Sequence, residues 1–464
     1  MVTFATESLR DIPANVELIG NEPQRTRENS MNREIMSRSR QRIHIVYLSF
    51  DRFPSPKGAA THIEAFTSAL GQSFGNVDLL TVLSESEEYA SGLKSRRHSP
   101  LVTDSAEDPM KNAIRFSEGV LHHPMAAFGE NLFERVINFR ANTQHWWQQR
   151  LKQQADTQRI VHFRSIFEGY PIAREKARFC DKLVFEVNGL PSIELKYRYP
   201  DVADDSELLG KLHRQEQVCL EAADLILTVS HVNAVHLVRR GVPEDRIRII
   251  PNGVDPDVFT YTPLHLRTVR HGDTNHEMRM LYSGTMSAWQ GVSIAIDALA
   301  LFRRDLPATL TLVGPASPRQ LRDLRQQARK LGVEDFVQFM APVSRSRLSM
   351  LHSEADVIVA PLTGNDRNLV QGCCPLKVLE AMASGTPLIA SDLPVVRELA
   401  RDGVEALLVR PGSAKAIKDG MLRLHQEPDL ANCLSRTARE HVTRSFTWAR
   451  AQASLIDAYD ALIC

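Results

Sequence analysis

The sequence predicts an α/β protein built from two Rossmann-like, doubly wound domains that face each other across a cleft. Short apolar runs alternate with segments of helical spacing from Ile43 onward, and a loop holding glycine or proline follows most of the runs. After residue 260 the pattern breaks into a polar stretch and then starts again, which makes two halves of one architecture.

The chain has 464 residues, 43% hydrophobic and 24% charged, enough for two domains that each bury a core. Lysine plus arginine (56) equals aspartate plus glutamate (56), so no global field draws the protein to nucleic acid or to an anionic bilayer. Six cysteines without CxxC spacing read as reduced thiols of a cytoplasmic protein. No apolar run reaches the roughly 18 residues of a membrane span, and the N-terminus lacks the layout of a signal peptide.

Residues 1–42 are polar without a periodic apolar face and read as a disordered extension, with Met31 or Met36 as alternative starts. An N-terminal domain spans 43–262. RIHIVYLSF is its first strand, HIEAFTSALGQSF a helix with Ile63, Phe66 and Leu70 on one face, and VDLLTVL the next strand. Ser84–Lys111 reads as a surface insertion, after which IVHFRS, KLVFEVNG, ADLILTVS and RIRII supply further strands. Residues 263–277 form a linker, and MRMLYSG, TLTLVGP, FVQFM, ADVIVAPL, LIASD and ALLVRPG are the strands of a second domain, 278–445.

In such folds ligands bind beyond the carboxyl ends of the strands, and the glycines sit there: Gly58, Gly189, Gly253, Gly284, Gly314 and Gly372. GCCPLKVLEAMASG is the most telling segment. Small residues Gly372, Cys373 and Cys374 precede Pro375, which suits a first helical turn, and Gly385 suits a C-cap. The helix start offers unpaired amides and a partial positive charge to a phosphate, and Lys377 adds a full charge. Glu380, a turn later, is placed to accept hydrogen bonds from a diol such as ribose. Taken alone, the segment also reads as an ordinary surface helix with Leu379 and Met382 on the sheet.

ADLILTVSHVNAVHLVRRGVPEDRIRIIPNGVDPDVF, MLYSGTMSAWQGVSIAIDAL, TLTLVGP, ADVIVAPL and PLKVLEAMASGTPLIASDLPVVREL, in that order, resemble the retaining glycosyltransferases of family 4, which have the GT-B fold. The resemblance covers nearly all of the chain from Ile43 and implies that FTWARAQASLIDAYDAL, within 446–464, is a helix crossing back to the N-terminal domain. It implies donor binding by Gly58, Gly284, Gln290, Arg367, Gly372, Cys373, Pro375, Lys377, Val378 and Glu380. Glu380 matches the family glutamate that holds the donor ribose. The partner glutamate that contacts the transferred sugar falls on Gly372, and the arginine and lysine that hold the diphosphate fall on Thr285 and Gln290. A branch with the PLK and WQG variants replaces these groups with others, and Lys377, Arg367, the helix amides and Trp289 are the candidates.

On the acceptor side the resemblance points to the glycine-rich loop PKGAATHIE, with His62 early in the helix, and to Asn188, where relatives carry a histidine. Glu194, Lys196 and Arg198 follow it, and His162 and Arg164 in HFRS end another strand; His162, Arg164, Asn188 and Glu194 are the expected acceptor contacts. No catalytic base stands out, and Lys377 and His62 are the candidates for a catalytic part. Asp255–Asp257 spells DxD, yet it follows Pro-Asn-Gly and reads as a turn, and Cys373 and Cys374 read as packing residues.

The implied reaction is transfer of a sugar from a nucleotide-diphosphate sugar to an acceptor hydroxyl, hexosyltransferase-like and with retention. Polysaccharide, glycolipid or glycosylated-metabolite synthesis is the setting. The expected partners are the donor and a saccharide, lipid-linked sugar or small-molecule acceptor, with no cofactor, no essential metal and no nucleic acid. A cytoplasmic protein with peripheral contact at the inner membrane face fits. A nucleotide-sugar epimerase of the same fold and a non-catalytic binding protein are the rivals. Donor sugar, base, acceptor and oligomeric state are not encoded in any motif.

Overall fold

The N-terminal sheet comprises β1 (Ile43–Arg52), β2 (Val77–Val82), β3 (Ile114–Ser117), β4 (Val120–Met125), β5 (Gln158–Phe163), β6 (Lys182–Val187), β7 (Leu225–Thr228) and β8 (Ile247–Ile249). Their order is β3-β4-β2-β1-β5-β6-β7-β8, parallel except for the β3–β4 hairpin. β1 is buried from Ile43 to Ser49 without alternation, because helices cover both faces of a parallel sheet. The second sheet, of β9 (Met278–Ser283), β10 (Ala308–Val313), β11 (Val337–Met340), β12 (Val357–Ala360), β13 (Leu388–Ser391) and β14 (Leu407–Val409), runs β11-β10-β9-β12-β13-β14 and is parallel throughout. This computed structural model describes residues 40, 42–55, 57–84, 113–151, 157–264 and 276–463. Apart from residues 40, 42 and 84, the expected disordered extension and the expected insertion Ser84–Lys111 lie outside the described residues, as does the body of the expected linker.

Both sheets belong to one compact unit, Gln41–Cys464. The strand order reverses at β1, between β2 and β5, and at β9, between β10 and β12. At such a switch point the flanking connections leave to opposite faces, so the loops after β1, β9 and β12 are free to bound a cleft.

Helix α1 (Gly58–Phe74) starts directly after the β1 loop and buries Ile63, Phe66 and Leu70. It ends at Gly75, whose φ of 73° closes the helix at no Cβ penalty. The last helix, Trp448–Ile463, shares a core with α1 through Leu455 and Tyr459. Its entry is tight: Val254 N–H donates to Phe446 O at 2.9 Å, and a Cβ on Gly253 would lie 2.2 Å from the Trp448 nitrogen. Glycine is the residue that lets the chain cross there.

The sequence reading had placed nothing between the insertion and β5. The structure has the β3–β4 hairpin and the helix Leu132–Arg150 in that stretch. That helix buries Phe139, Trp146 and Trp147 among Gln, Asn and Arg, so its apolar stripe is thin in sequence. No helix among the described residues is long and apolar enough to cross a membrane.

The hydroxyl of Tyr459 lies 2.7 Å from His162 Nδ1, and His162 Nε2 lies 3.0 Å from a carboxylate oxygen of Glu186. The imidazole therefore carries its proton on Nε2, and Tyr459 donates to Nδ1. Tyr459→Phe leaves that buried nitrogen without a donor, and urea unfolding should show a loss of roughly 1–3 kcal/mol. An unchanged midpoint would show that the helix is held by packing alone.

Candidate functional site

A cleft of about 720 Å³ opens between the sheets. Its N-terminal wall comes from the β1 loop and the start of α1, with Arg164 after β5 and Asn188 after β6. The opposite wall comes from the loops after β9, β10 and β12 and from the start of helix α2 (Leu376–Ser384).

α2 begins after Pro375 with no side-chain cap, and Pro375, Leu376 and Lys377 line the cleft. Its uncapped amides and dipole thus face open space, the arrangement that binds anions. Lys377 is only 7% exposed. Its Nζ donates to Gln290 Oε1 at 2.6 Å and to the Tyr282 hydroxyl at 2.9 Å, and sits 4.1 Å from the Tyr282 ring centroid. None of these partners carries negative charge. Burial therefore pulls the ammonium down to about 7, although Glu380 works the other way. Burial likewise pushes the Glu380 carboxyl up to about 7, against the pull of Arg345 and Lys377.

The loop after β9 closes around this ammonium. Tyr282 O–H donates to Thr285 O at 2.6 Å, and a Cβ on Gly284, whose φ is +136°, would lie 2.9 Å from Lys377 Nζ. Thr285 and Gln290, where the family pattern has cations, thus surround a lysine that arrives from α2 instead. Arg367 lies beside the same wall, its guanidinium carbon 3.9 Å from the Trp289 ring centroid.

On the N-terminal wall the organising group is Glu186, 1% exposed on β6, which sequence reasoning missed. Tyr47 O–H donates to it at 2.8 Å, Arg164 Nε donates at 2.9 Å, and the Asn188 amide nitrogen donates as well. His162 Nε2 and His62 Nε2 lie 3.0 and 2.9 Å from its oxygens. Burial alone would raise the Glu186 carboxyl, but His62, Arg164 and His162 hold it well below the ordinary range. An acidic residue inside an apolar strand, as in KLVFEVNG, was the available signal.

Hydrogen bonds tie the two walls together. His62 Nδ1 lies 2.8 Å from Asn252 Oδ1, and Asn252 Nδ2 donates to Cys374 O at 2.8 Å. Arg367 Nε and Gln371 Nε2 donate to Glu194 Oε1 at 2.7 and 2.9 Å, and Asp366 accepts from Lys196 and Tyr197. Glu398 accepts from the amides of His231 and Val232 at 2.9 and 3.0 Å.

Of the expected donor contacts, Gly58, Gly284, Gln290, Arg367, Cys373, Pro375, Lys377 and Glu380 line the cleft, as do His62, Arg164 and Asn188. Four expected contacts do not line it. Val378 is fully buried in the core between α2 and the sheet. Gly372 faces the Ser230–Asn233 turn, where a Cβ would lie 2.5 Å from Ser230 Oγ. His162 is fully buried between Glu186 and Tyr459, so it supports the wall instead of forming it. Glu194 is occupied by Arg367 and Gln371, and the neighbouring Lys196 by Asp366, so their helix, Pro191–Arg198, bridges the lobes. What approaches Gly58 is Leu376, 2.7 Å from a built Cβ.

Cys373 and Cys374 are buried free thiols that burial keeps neutral, as packing residues would be. Asp255 Oδ1 accepts from the amides of Asp257 and Val258, which fits a turn.

Residues 56–258 match the family described as Glycosyltransferase Family 4, and residues 277–427 match the one described as Glycosyl transferases group 1. Among curated proteins, a D-inositol 3-phosphate glycosyltransferase of Xylanimonas cellulosilytica is 30% identical over 265 residues, 55% of this chain and 61% of that protein. One of Geodermatophilus obscurus is 30% identical over 272 residues, 56% of this chain and 57% of that protein. The chain thus matches less than two thirds of these relatives' length. Among solved structures, sucrose-phosphate synthase from Thermosynechococcus elongatus has a TM-score of 0.69 at 20% identity, over 90% of this chain and 99% of that one. Anabaena HepE in complex with UDP-glucose has a TM-score of 0.66 at 16% identity, over 90% of this chain and 99% of that one. These likenesses show a shared fold, the two-lobed GT-B arrangement.

The burial of Lys377 has a stability consequence. With a folded value of about 7 against 10.5 when exposed, the unfolded chain binds more protons between those values. Stability therefore rises with pH through that window, and the full penalty applies below pH 7. Lys377→Met should stabilise the unliganded protein by on the order of 2 kcal/mol at pH 6.5, a gain that shrinks towards pH 10 in denaturant titrations. A destabilised variant at pH 6.5 would mean that the ammonium is fully compensated by its neutral partners.

Proposed function

We propose that this chain, which belongs to glycosyltransferase family 4, moves a sugar from a nucleotide-diphosphate donor to an acceptor hydroxyl with retention of configuration. The observation that carries the reading is the buried ammonium of Lys377, hydrogen-bonded to neutral groups at the uncapped start of α2. A site that holds a cation at such a desolvation cost is suited to a dianionic leaving group.

In this reading Glu380 accepts hydrogen bonds from the donor ribose, while Lys377 and the α2 amides stabilise the departing diphosphate. The bond from the anomeric carbon to the phosphate oxygen breaks, and the bond to the acceptor oxygen forms on the same face. The acceptor proton passes to the leaving phosphate, so no side-chain base is required. The N-terminal wall presents the acceptor, and closure of the lobes excludes water, the competing acceptor. Lys377, Arg345 and Arg367 line the side of the cleft proposed to hold the donor, and the reaction is proposed to need no divalent metal. The free thiols fit a reducing compartment, so the proposed place of action is the cytoplasm.

The test is a donor screen with UDP-, GDP- and ADP-sugars, UDP-glucose first, against a panel of saccharide and small-molecule acceptors, reading released nucleotide. Wild type should release nucleotide with one base, with EDTA present or absent, and Glu380→Ala should lose about 100-fold in kcat/KM. Equal turnover by Glu380→Ala would sink the donor-site assignment. Epimer formation without nucleotide release would favour an epimerase, and no affinity for any nucleotide would favour a binding protein.

A further inference from the structure

The two walls of the cleft differ in electrical balance. On the donor wall, Lys377 hydrogen-bonds only to the neutral Gln290 and Tyr282, and no carboxylate is bonded to its ammonium. On the acceptor wall the guanidinium of Arg164 is matched by carboxylates. The lining side chains of that wall carry both signs, Lys57 and Arg164 with Glu64. Arg164 Nε donates to Glu186 Oε1 at 2.9 Å and Arg164 Nη1 to Asp51 Oδ2 at 2.8 Å, so two carboxylates face one guanidinium. Even with His62 charged, Arg164 and His62 stand against Glu186 and Asp51, and no net positive charge remains.

We propose that the acceptor group entering this cleft is an uncharged polyol, a neutral saccharide or cyclitol and not a phosphorylated one, with Arg164 donating to one of its oxygens. Arg164 lines the cleft, and its Nη2 carries no bond to another described residue. The carboxylates hold the guanidinium plane fixed, which turns it into a preset hydrogen-bond donor, while their charge repels an anionic acceptor. Glu186 is the positioning residue of this wall, since it holds Arg164, His62 and Asn188 together. Burial would weaken its charge, but the surrounding donors keep it ionised. This specificity would set the chain apart from the curated relatives, whose name specifies an inositol phosphate. The inference rests on the transferase reading above.

The experiment uses acceptors in pairs that differ by one phosphate: myo-inositol with D-inositol 3-phosphate, and glucose with glucose 6-phosphate. Each is supplied with the donor that the wild type accepts, and kcat/KM is read from released nucleotide. The neutral member of a pair should be preferred by at least about tenfold. Asp51→Asn, at a side chain 49% exposed and so tolerant of change, removes one of the two compensating carboxylates. It should narrow that ratio by about tenfold, whereas a merely structural role would lower both members equally. Glu186→Gln should act in the same direction if it folds. Preference of the wild type for the phosphorylated member, or an unchanged ratio in Asp51→Asn, would overturn the inference while leaving the transferase reading intact. No nucleotide release from any donor would overturn the transferase reading itself, and this inference with it.

Discussion

A lysine ammonium held away from water, with an amide oxygen, a phenol and an aromatic face for company, is the constraint around which the C-terminal wall of the cleft is built. Lys377 reaches its place because Pro375 starts α2 at the mouth of the cleft and because Gly284 leaves room above the β9 loop. The same requirement explains the loop's other oddity. Gly291, at φ +71°, lets the chain turn so tightly that a Cβ would lie 1.8 Å from Pro361 O, and this brings Gln290 within reach of the ammonium. Thr285 and Gln290, where the resemblance leads one to expect cations, are neutral, and the ammonium of this wall comes from α2 instead.

The opposite wall follows the reverse logic. Glu186 is a buried carboxylate, and such a group is tolerable only when donors surround it. Here the donors come from β1, α1, β5 and the loop after β6, so one carboxylate sets the relative positions of four elements. Through His62 and Asn252 the network reaches the carbonyl of Cys374, just before α2. The N-terminal wall and the start of α2 are therefore parts of one hydrogen-bonded frame. His162, read from the sequence as a ligand contact, belongs to that frame and not to the surface it supports.

The architecture was legible because continuous apolar runs such as VIVA and LILT can only be buried strands, and glycine or proline marks where each ends. The segment around α2 was legible for a related reason: proline at a helix start and glycine at its C-cap are local chemistry. The hairpin β3–β4 and the helix Leu132–Arg150 escaped because edge and surface elements carry few apolar positions. The five-residue π-helix Arg367–Gln371 escaped because its hydrogen bonds are unusual and its sequence is not. Gly372, expected among the donor contacts, faces the Ser230–Asn233 turn instead of lining the cleft, because motif spacing does not show which way a loop with positive φ turns. Glu186 and the roles of Glu194 and Lys196 depend on partners distant in the chain, which a pattern of neighbours does not record.

The central claim is that Lys377 supplies the charge that meets the donor diphosphate. Calorimetric titration with UDP, GDP and ADP at pH 8, in buffers of differing ionisation enthalpy, tests it most directly. With the ammonium lowered to about 7 in the empty site, most molecules hold it neutral at that pH. The nucleotide that binds should then draw in a proton, approaching one per site, and Lys377→Met should abolish the uptake. Binding with no proton uptake, or uptake that persists in Lys377→Met, would contradict the account.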